Sequence, residues 1–205
     1  MPLPLPRVLL DANVLIPLNP RDLFLAAAET AERTPLCRLF WTEEILAEAE
    51  RNFPKAIRRG DAMEKAARAA ALVAALRHDF PDAHITGYER FIDRVTPADP
   101  GDRHVAAAAY RARLDAIVTF NVRHYPSATF DAFRFKPRVL DPDTFLMQLF
   151  RASPETLAAR LRVQEGRGRR FDPAVTVARI LDRMAPRMPQ FAAAMQAWMS
   201  DREGG

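Results

Sequence analysis

Polar side chains that could bind a metal ion occur where predicted strands end or helices begin. Asp11 directly follows an apolar run, Asp102 stands at the start of a helical segment, and Asn121 follows a strand-like run. Glu48 lies within another helical segment. Carboxylates that converge raise one another's pKa, and a hard divalent cation such as Mg²⁺ is the usual reason for that arrangement. A site of this kind predicts metal-dependent cleavage of phosphodiesters.

Each of these residues also has a purely structural alternative. Asp11 could simply end a strand, and Asn121 could shape a turn. Glu48 shares its helix with other glutamates and could be solvated, while Asp102 could serve as a helix cap. The four histidines show no zinc-binding spacing, and we expect them to be structural or exposed; they are His78, His84, His104 and His124.

Composition excludes several classes of protein. The chain has 205 residues and a net charge of +4. Its seven glycines form neither a P-loop nor a dinucleotide-binding pattern, and the single Cys37 excludes a disulfide framework. The apolar stretch after Met1 lacks the features of a signal peptide, and we find no apolar run long enough to cross a membrane. We therefore expect a soluble, cytoplasmic protein.

The order of apolar runs and helical segments predicts an α/β fold. Strands are expected at residues 7–10, 36–41, 116–119 and 138–140, with helices between them. This order favours a small parallel sheet with helices on both faces. Ligands in such folds bind at the carboxyl ends of the strands, where Asp11 and Asn121 lie.

A change of character after Phe150 predicts a second region. Proline-marked helix starts predict three helices, at about 154–165, 173–185 and 189–201. A basic loop is expected between the first two, at residues 166–170. We therefore divide the chain into a nuclease-like domain, residues 1–150, and an α-helical C-terminal extension, residues 151–205.

Three stretches, taken in order, resemble the PIN-domain ribonucleases, and more closely the VapC-type toxins of toxin–antitoxin pairs. Residues 8–15, VLLDANVL, are similar to the opening strand and first acid of that family. Residues 99–108, DPGDRHVAAA, are similar to its later acidic helix start, and residues 118–126, VTFNVRHYP, to its strand-end motif. Alignment of residues 41–52 places Glu48 on the acid of the second motif. The resemblance covers about residues 7–150, and a longer subgroup of these toxins carries a C-terminal helical extension.

The resemblance implies a PIN-like fold and a Mg²⁺ or Mn²⁺ site on Asp11, Glu48 and Asp102, with Asn121 assisting catalysis. It implies an endoribonuclease that cleaves RNA and is inhibited by a cognate antitoxin. Asn121 stands where many relatives have aspartate, which removes one negative charge. His124 stands where close relatives often have another acid, and we assign it no metal role.

Substrate contact is expected from arginines near these stretches, because a guanidinium matches phosphate oxygens. The candidates are Arg21, Arg103 and Arg123. The basic loop at 166–170 could extend the RNA path, and the tail could instead hold the antitoxin or form a homodimer. Two other functions stay open: a degenerate PIN domain that binds RNA or a protein without cutting, and a PIN nuclease that acts on DNA.

Overall fold

Four short parallel strands form one sheet in the computed structural model, which describes residues 4–29, 34–57 and 59–203. The strands are β1 (Arg7–Leu10), β2 (Arg38–Phe40), β3 (Ala116–Val118) and β4 (Arg138–Leu140). Their order across the sheet is β2-β1-β3-β4. Leu9 pairs with Phe40 on one side and with Ile117 on the other. Because β1 lies between β2 and β3, the second strand is added on one side of β1 and the third on the other side. The carboxyl ends of β1 and β3 are therefore neighbours.

The central strands are buried on both faces. Val8, Leu9 and Leu10 are fully buried, as are Ile117 and Val118. Because successive side chains of a strand point to opposite faces, burial of consecutive residues means that both faces are covered. The predicted fold class, a small parallel sheet with helices on both faces and a C-terminal helical extension, is confirmed.

Nine α-helices occur in the described part of the chain. They are α1 (Ala12–Leu15), α2 (Leu18–Ala28), α3 (Glu43–Ala56), α4 (Ala62–Asp79), α5 (Arg103–Arg111), α6 (Pro142–Ala152), α7 (Pro154–Arg169), α8 (Val177–Met184) and α9 (Pro189–Glu203). Short 3₁₀ segments occupy Pro81–Ala83, Glu89–Arg94, Pro100–Asp102, Val122–His124 and Ser127–Phe130. Among the described residues, no helix combines the length and apolar character needed to cross a membrane.

Side-chain caps fix where several of these helices begin. Thr42 Oγ1 accepts a hydrogen bond from the backbone N–H of Ile45 at 3.1 Å, which starts α3. Asp61 caps α4 in the same way, accepting from the N–H of Glu64 at 2.8 Å. Such caps satisfy N–H groups that have no partner inside the helix.

Three local expectations are wrong. Proline at position 54 predicts that α3 ends near Asn52, but Pro54 lies in the last turn and the helix continues to Ala56. A helix is expected over 85–95, where the structure has the 3₁₀ segment Glu89–Arg94. The basic loop expected at 166–170 is instead mostly helical, because α7 extends to Arg169. A β-carbon on Gly168 would lie 2.8 Å from Val175 Cγ1, so glycine here permits close packing rather than a flexible loop.

Packing divides the chain into two units. The first contains residues 1–17 and 37–140, and the second contains residues 18–36 and 141–205. Helix α2 therefore packs with the C-terminal helices, in contact with α7 and α8, although the sequence places it inside the predicted 1–150 domain. The helix expected over 21–33 spans Leu18–Ala28, and residues 30–33 lie outside the described part of the chain. The division into a nuclease-like domain, residues 1–150, and an α-helical C-terminal extension, residues 151–205, stays a prediction.

Asp143 links two helices of the second unit. Its carboxylate is buried in the first turn of α6 and accepts hydrogen bonds from two backbone N–H groups at the start of α9. The donors are Gln190 N, at 3.0 Å, and Phe191 N, at 2.7 Å. One side chain thus caps a helix whose N–H donors lie 47 and 48 residues further along the chain.

We predict that Asp143→Ala lowers the free energy of unfolding by about 1–3 kcal/mol, because it leaves two N–H groups of α9 without acceptors. Asp143→Asn keeps one acceptor and should lose less. Urea unfolding measures both, with Asp131→Ala as the control, since Asp131 forms only an exposed pair with Lys136. A loss no larger than that of the control would contradict the capping role.

Candidate metal centre

The first acid of the site is held by a hydrogen-bonded triangle at the carboxyl ends of β1 and β3. Asp11 Oδ2 accepts from Thr119 Oγ1 at 2.6 Å and from Asn13 Nδ2 at 2.7 Å. Asn13 Nδ2 also lies 2.9 Å from Thr119 Oγ1. The triangle closes because the parallel pairing of the two strands brings residues 108 positions apart into contact. It fixes the direction of the Asp11 carboxylate.

The backbone after β3 is tied to the same triangle. Thr119 Oγ1 accepts from the backbone N–H of Asn121 at 3.0 Å, and Asn13 Oδ1 accepts from the N–H of Phe120 at 3.0 Å. The backbone of Asn121 is therefore linked to the Asp11 carboxylate through the hydroxyl of Thr119. This agrees with the place at the end of β3 that the sequence pattern predicts for it.

Asp11 is a buried carboxylate whose charge is poorly compensated. Only 3% of its surface is exposed. The pKa of Asp11 is raised to about 6, mainly by burial and in addition by the negative charges of Asp102 and Glu48, against the opposing hydrogen bond from Thr119. The three predicted acids are therefore near enough to interact electrostatically, whereas the described group whose ligand atoms all lie within 4.8 Å of one another is Asp99, Asp102 and His124.

Asp102 and its neighbours supply more donor atoms. His124 Nδ1 lies 2.7 Å from Asp102 Oδ2 and 3.8 Å from Asp99 Oδ2. Ligand atoms of these three residues lie close enough together to hold one metal ion. Asp99 also shapes the turn, because its Oδ1 accepts from the N–H of Gly101 at 2.8 Å. Sequence reasoning assigned His124 no such position, since contact across 22 residues is not visible in local spacing.

Two of the three predicted acids, Glu48 and Asp102, line an open groove of about 570 Å³ in the first unit, whereas Asp11 is not among its lining residues. Helix α3 contributes Glu48 and Arg51 to one side, and the segment that leads into α5 contributes Asp102. The complete lining consists of Glu44, Ala47, Glu48, Arg51, Asn52, Asp99, Gly101, Asp102 and His104. A groove of this kind leaves room for a polymeric ligand beside the acids. Arg51 was not singled out from the sequence, where it is one of 27 arginines.

Tyr125 is a second residue that sequence reasoning missed. It is buried, and its hydroxyl has no hydrogen-bond partner among the described residues. Burial raises the pKa of Tyr125 well above its ordinary value, and the charges of Asp11, Asp102 and Glu48 raise it further. The hydroxyl therefore stays protonated beside the acids and is available as a donor. An aromatic residue in a loop gives no sign of this in the sequence.

The three candidate substrate arginines have different surroundings. Arg123 is exposed, and Arg103 is partly buried with an Nε that has no partner among the described residues. Arg21 belongs to the second unit, is 6% exposed, and pairs with Asp22 at 2.9 Å. The Arg21 guanidinium is therefore buried and paired with the partly exposed carboxylate of Asp22.

The donor set suits a hard cation. Carboxylate oxygens from Asp11, Glu48 and Asp102 are the ligands that Mg²⁺ and Mn²⁺ prefer, and the described site contains no cysteine. A divalent ion would also remove the cost of the uncompensated charge on Asp11. The residues present therefore fit the metal that the sequence pattern implied.

Comparison with known proteins identifies the same region. The sequence profile of the family described as PIN domain matches residues 7–123. The chain is similar to "Putative ribonuclease VapC50" of Mycobacterium tuberculosis, with 39% identity over 93 residues. That match covers 45% of this chain and 52% of the relative, so the chain spans about half the length of the curated relative it matches. No solved structure matches the chain significantly.

We predict that Asp11→Asn stabilises the metal-free protein at pH 7. The pKa of Asp11 is about 6 in the folded state against an ordinary 3.8, so folding disfavours its ionised form. That penalty is absent below about pH 4, grows as the pH rises, and is complete above about pH 6. At about 1.4 kcal/mol per pKa unit, removing it adds on the order of 2–3 kcal/mol to the free energy of unfolding.

Urea unfolding in EDTA at pH 7 and pH 4 measures this difference, and the exposed Asp201→Asn is the control for a lost surface charge. The variant and the wild type should converge at pH 4. Added Mn²⁺ should stabilise the wild type more than Asp11→Asn. Equal stability at pH 7 would mean that the Asp11 carboxylate bears no such penalty.

We predict that Tyr125→Phe does not lower stability, because the hydroxyl that it removes has no partner among the described residues. Deleting an unsatisfied buried polar group changes stability by about 0–1 kcal/mol in the stabilising direction. Tyr88→Phe is the matched control. The buried Tyr88 hydroxyl interacts with Thr42, so its removal should lower stability. Thermal unfolding in EDTA compares the two. A loss in Tyr125→Phe equal to that in Tyr88→Phe would show that its hydroxyl is bonded.

Proposed function

The chain belongs to the PIN-domain family, and we propose that it is a metal-dependent endoribonuclease of the VapC type. The observation that carries the proposal is that Asp11, buried at the ends of β1 and β3, interacts electrostatically with Asp102 and Glu48, which line one groove. A carboxylate that stays unneutralised beside two others is costly without a cation. The retained acids favour an active nuclease over a degenerate PIN domain.

We assign the bound ion, Mg²⁺ or Mn²⁺, to the carboxylates of Asp11, Glu48 and Asp102. When bound, it supplies an activated water and stabilises charge on phosphate oxygens. Thr119 and Asn13 orient the Asp11 carboxylate through the triangle at the strand ends. His124 orients Asp102 through the contact between its Nδ1 and Asp102 Oδ2, because ligand carboxylates in metal sites are themselves usually hydrogen-bonded.

The remaining polar groups position the substrate. Asn121 lies next to the triangle, where its amide can hold a water or a carboxylate without adding negative charge. The Tyr125 hydroxyl can donate a hydrogen bond to an oxygen that enters the acidic site. Arg51 lines the groove, and Arg103 and Arg123 flank the motifs, so their guanidiniums can reach phosphates of an RNA strand.

The toxin role and its partner are part of the proposal. The similarity to a protein named as a VapC ribonuclease supports RNA as substrate and a cognate antitoxin as partner. An antitoxin that inhibits the enzyme must keep RNA from the acidic groove. We place the protein in the cytoplasm, where its RNA substrate is found, and we retain a homodimer as its proposed assembly.

We predict cleavage of a mixed, end-labelled RNA pool by the purified chain with Mg²⁺ or Mn²⁺, and none with EDTA. Asp11→Asn, Glu48→Gln and Asp102→Asn should each lower the rate at least about 100-fold, because the ion contributes several kcal/mol of transition-state stabilisation. Glu50→Gln is the matched control on the same helix, outside the groove lining. Full activity in Asp11→Asn and Asp102→Asn would refute the assignment.

A parallel lane with single-stranded DNA of the same sequences separates RNA from DNA cleavage, and faster cutting of DNA would overturn the RNA assignment. If no lane shows cleavage, calorimetric titration with Mn²⁺ tests the site directly. A degenerate site should not bind the ion, whereas an intact site with a narrow target should bind it. Loss of Mn²⁺ binding in Asp102→Asn but not in Glu50→Gln then identifies the acids as ligands.

A further inference from the structure

A second cleft in the first unit is lined by residues from the start of β1, the end of β2 and the end of α5. We call it the basic cleft; it has a volume of about 470 Å³, and its lining includes Arg7, Phe40, His84, Thr86, Arg111 and Arg113. Arg7 begins β1, whereas Asp11 follows the end of that strand. Arg111 ends α5, whereas Asp102 precedes its start. The two sites are therefore joined by one strand and one helix.

The arginines of the basic cleft have one carboxylate beside them, that of Asp115, which accepts a hydrogen bond from the backbone N–H of Arg7 at 2.7 Å and is not among the lining residues. No acidic residue of the described part of the chain lines it. Among the described ion pairs, none involves the guanidinium of Arg7, Arg111 or Arg113. The Arg7 guanidinium lies over the Phe40 ring, 5.1 Å from its centre, which holds it at the cleft without cancelling its charge. Several like charges around one cavity repel, and an anionic ligand relieves that repulsion.

Arg113 supplies an independent observation. Its φ is +49°, and it is the one non-glycine residue with a positive φ in the described part of the chain. It follows Ala112, the C-cap of α5, at the position where helices commonly place glycine because glycine has no β-carbon. Arginine bears a backbone cost there that glycine would avoid. A residue kept in a strained conformation is a candidate for a function of its side chain.

We propose that the basic cleft binds phosphate groups of the RNA strand that is cut in the acidic groove. The inference rests on the proposed function, since it needs RNA as the ligand. Guanidiniums match phosphate oxygens in charge and in hydrogen-bond geometry. Contacts of this kind position a strand without reading its sequence. The strand would pass from the acids at the start of α5 to the arginines at its end.

The test measures binding of a labelled, mixed-sequence single-stranded RNA to the full chain in EDTA, where cleavage is blocked, across a series of salt concentrations. Arg111→Gln combined with Arg113→Gly should weaken binding several-fold. It should also reduce the salt slope by roughly 0.7 for each phosphate that the variant no longer binds. Arg68→Gln, on the exposed face of α4, is the control for loss of surface charge. Arg113→Gly alone should keep or raise the melting temperature, which separates weakened binding from impaired folding.

Cleavage kinetics with Mn²⁺ add a second readout. The double variant should raise KM for a long RNA, while its kcat and its cleavage of a dinucleotide too short to reach the cleft stay unchanged. Unchanged affinity and salt slope in a protein that binds and cuts RNA would refute the basic cleft alone. A wild-type chain that neither binds nor cuts RNA would refute the proposed function as well. Variants that keep RNA affinity but lose affinity for inorganic phosphate or an acidic peptide would assign the cleft to that ligand and overturn the proposal.

Discussion

The hydrogen bond from Thr119 to Asp11 is the interaction on which the rest of the site depends. It joins the ends of two parallel strands and holds a carboxylate in a place where water hardly reaches it. Burial and neighbouring acids disfavour the ionised form, and only the hydroxyl of Thr119, the amide of Asn13 and the local backbone oppose them. The structure thus maintains a charge that it does not neutralise. The sheet must pair in parallel, with β1 beside β3, for this hydrogen bond to exist.

The parts of the fold that could be predicted are those that depend on neighbouring residues. β1 begins and ends where the apolar run does, and Asp141 caps α6 as the Asp-Pro sequence suggests. The errors arise where packing overrides a local preference. Pro54 removes one N–H donor from the last turn of α3, and the helix ends two residues after it, at Ala56. Gly168 lies in helix α7, where Val175 packs so closely that a β-carbon would lie 2.8 Å from its Cγ1.

The candidate site shows the same division. Asp11 and Asp102 could be named from the sequence because each lies next to a strand end or a helix start, and Glu48 because the resemblance to the PIN-domain family aligns it with that family's second acid. His124, Tyr125 and Arg51 could not, because their importance lies in contacts and burial that only the folded chain creates. Arg21 stays a prediction whose surroundings differ from those that its charge suggested. Its charge suggested a phosphate ligand, but its surroundings satisfy it with Asp22.

Helix α5 connects the two charged sites, and its dipole explains part of their arrangement. A negative charge at its start and a positive charge at its end are each favourable by about 0.3–1 kcal/mol, so Asp102 and Arg111 are where the helix prefers them. The dipole does not explain why Asp11 is buried, why the Tyr125 hydroxyl lacks a described partner, or why Arg113 adopts a positive φ. These three features all cost free energy in the isolated chain. A cation at one end of the helix and phosphates at the other would offset those costs, and a single RNA strand with its metal would supply both.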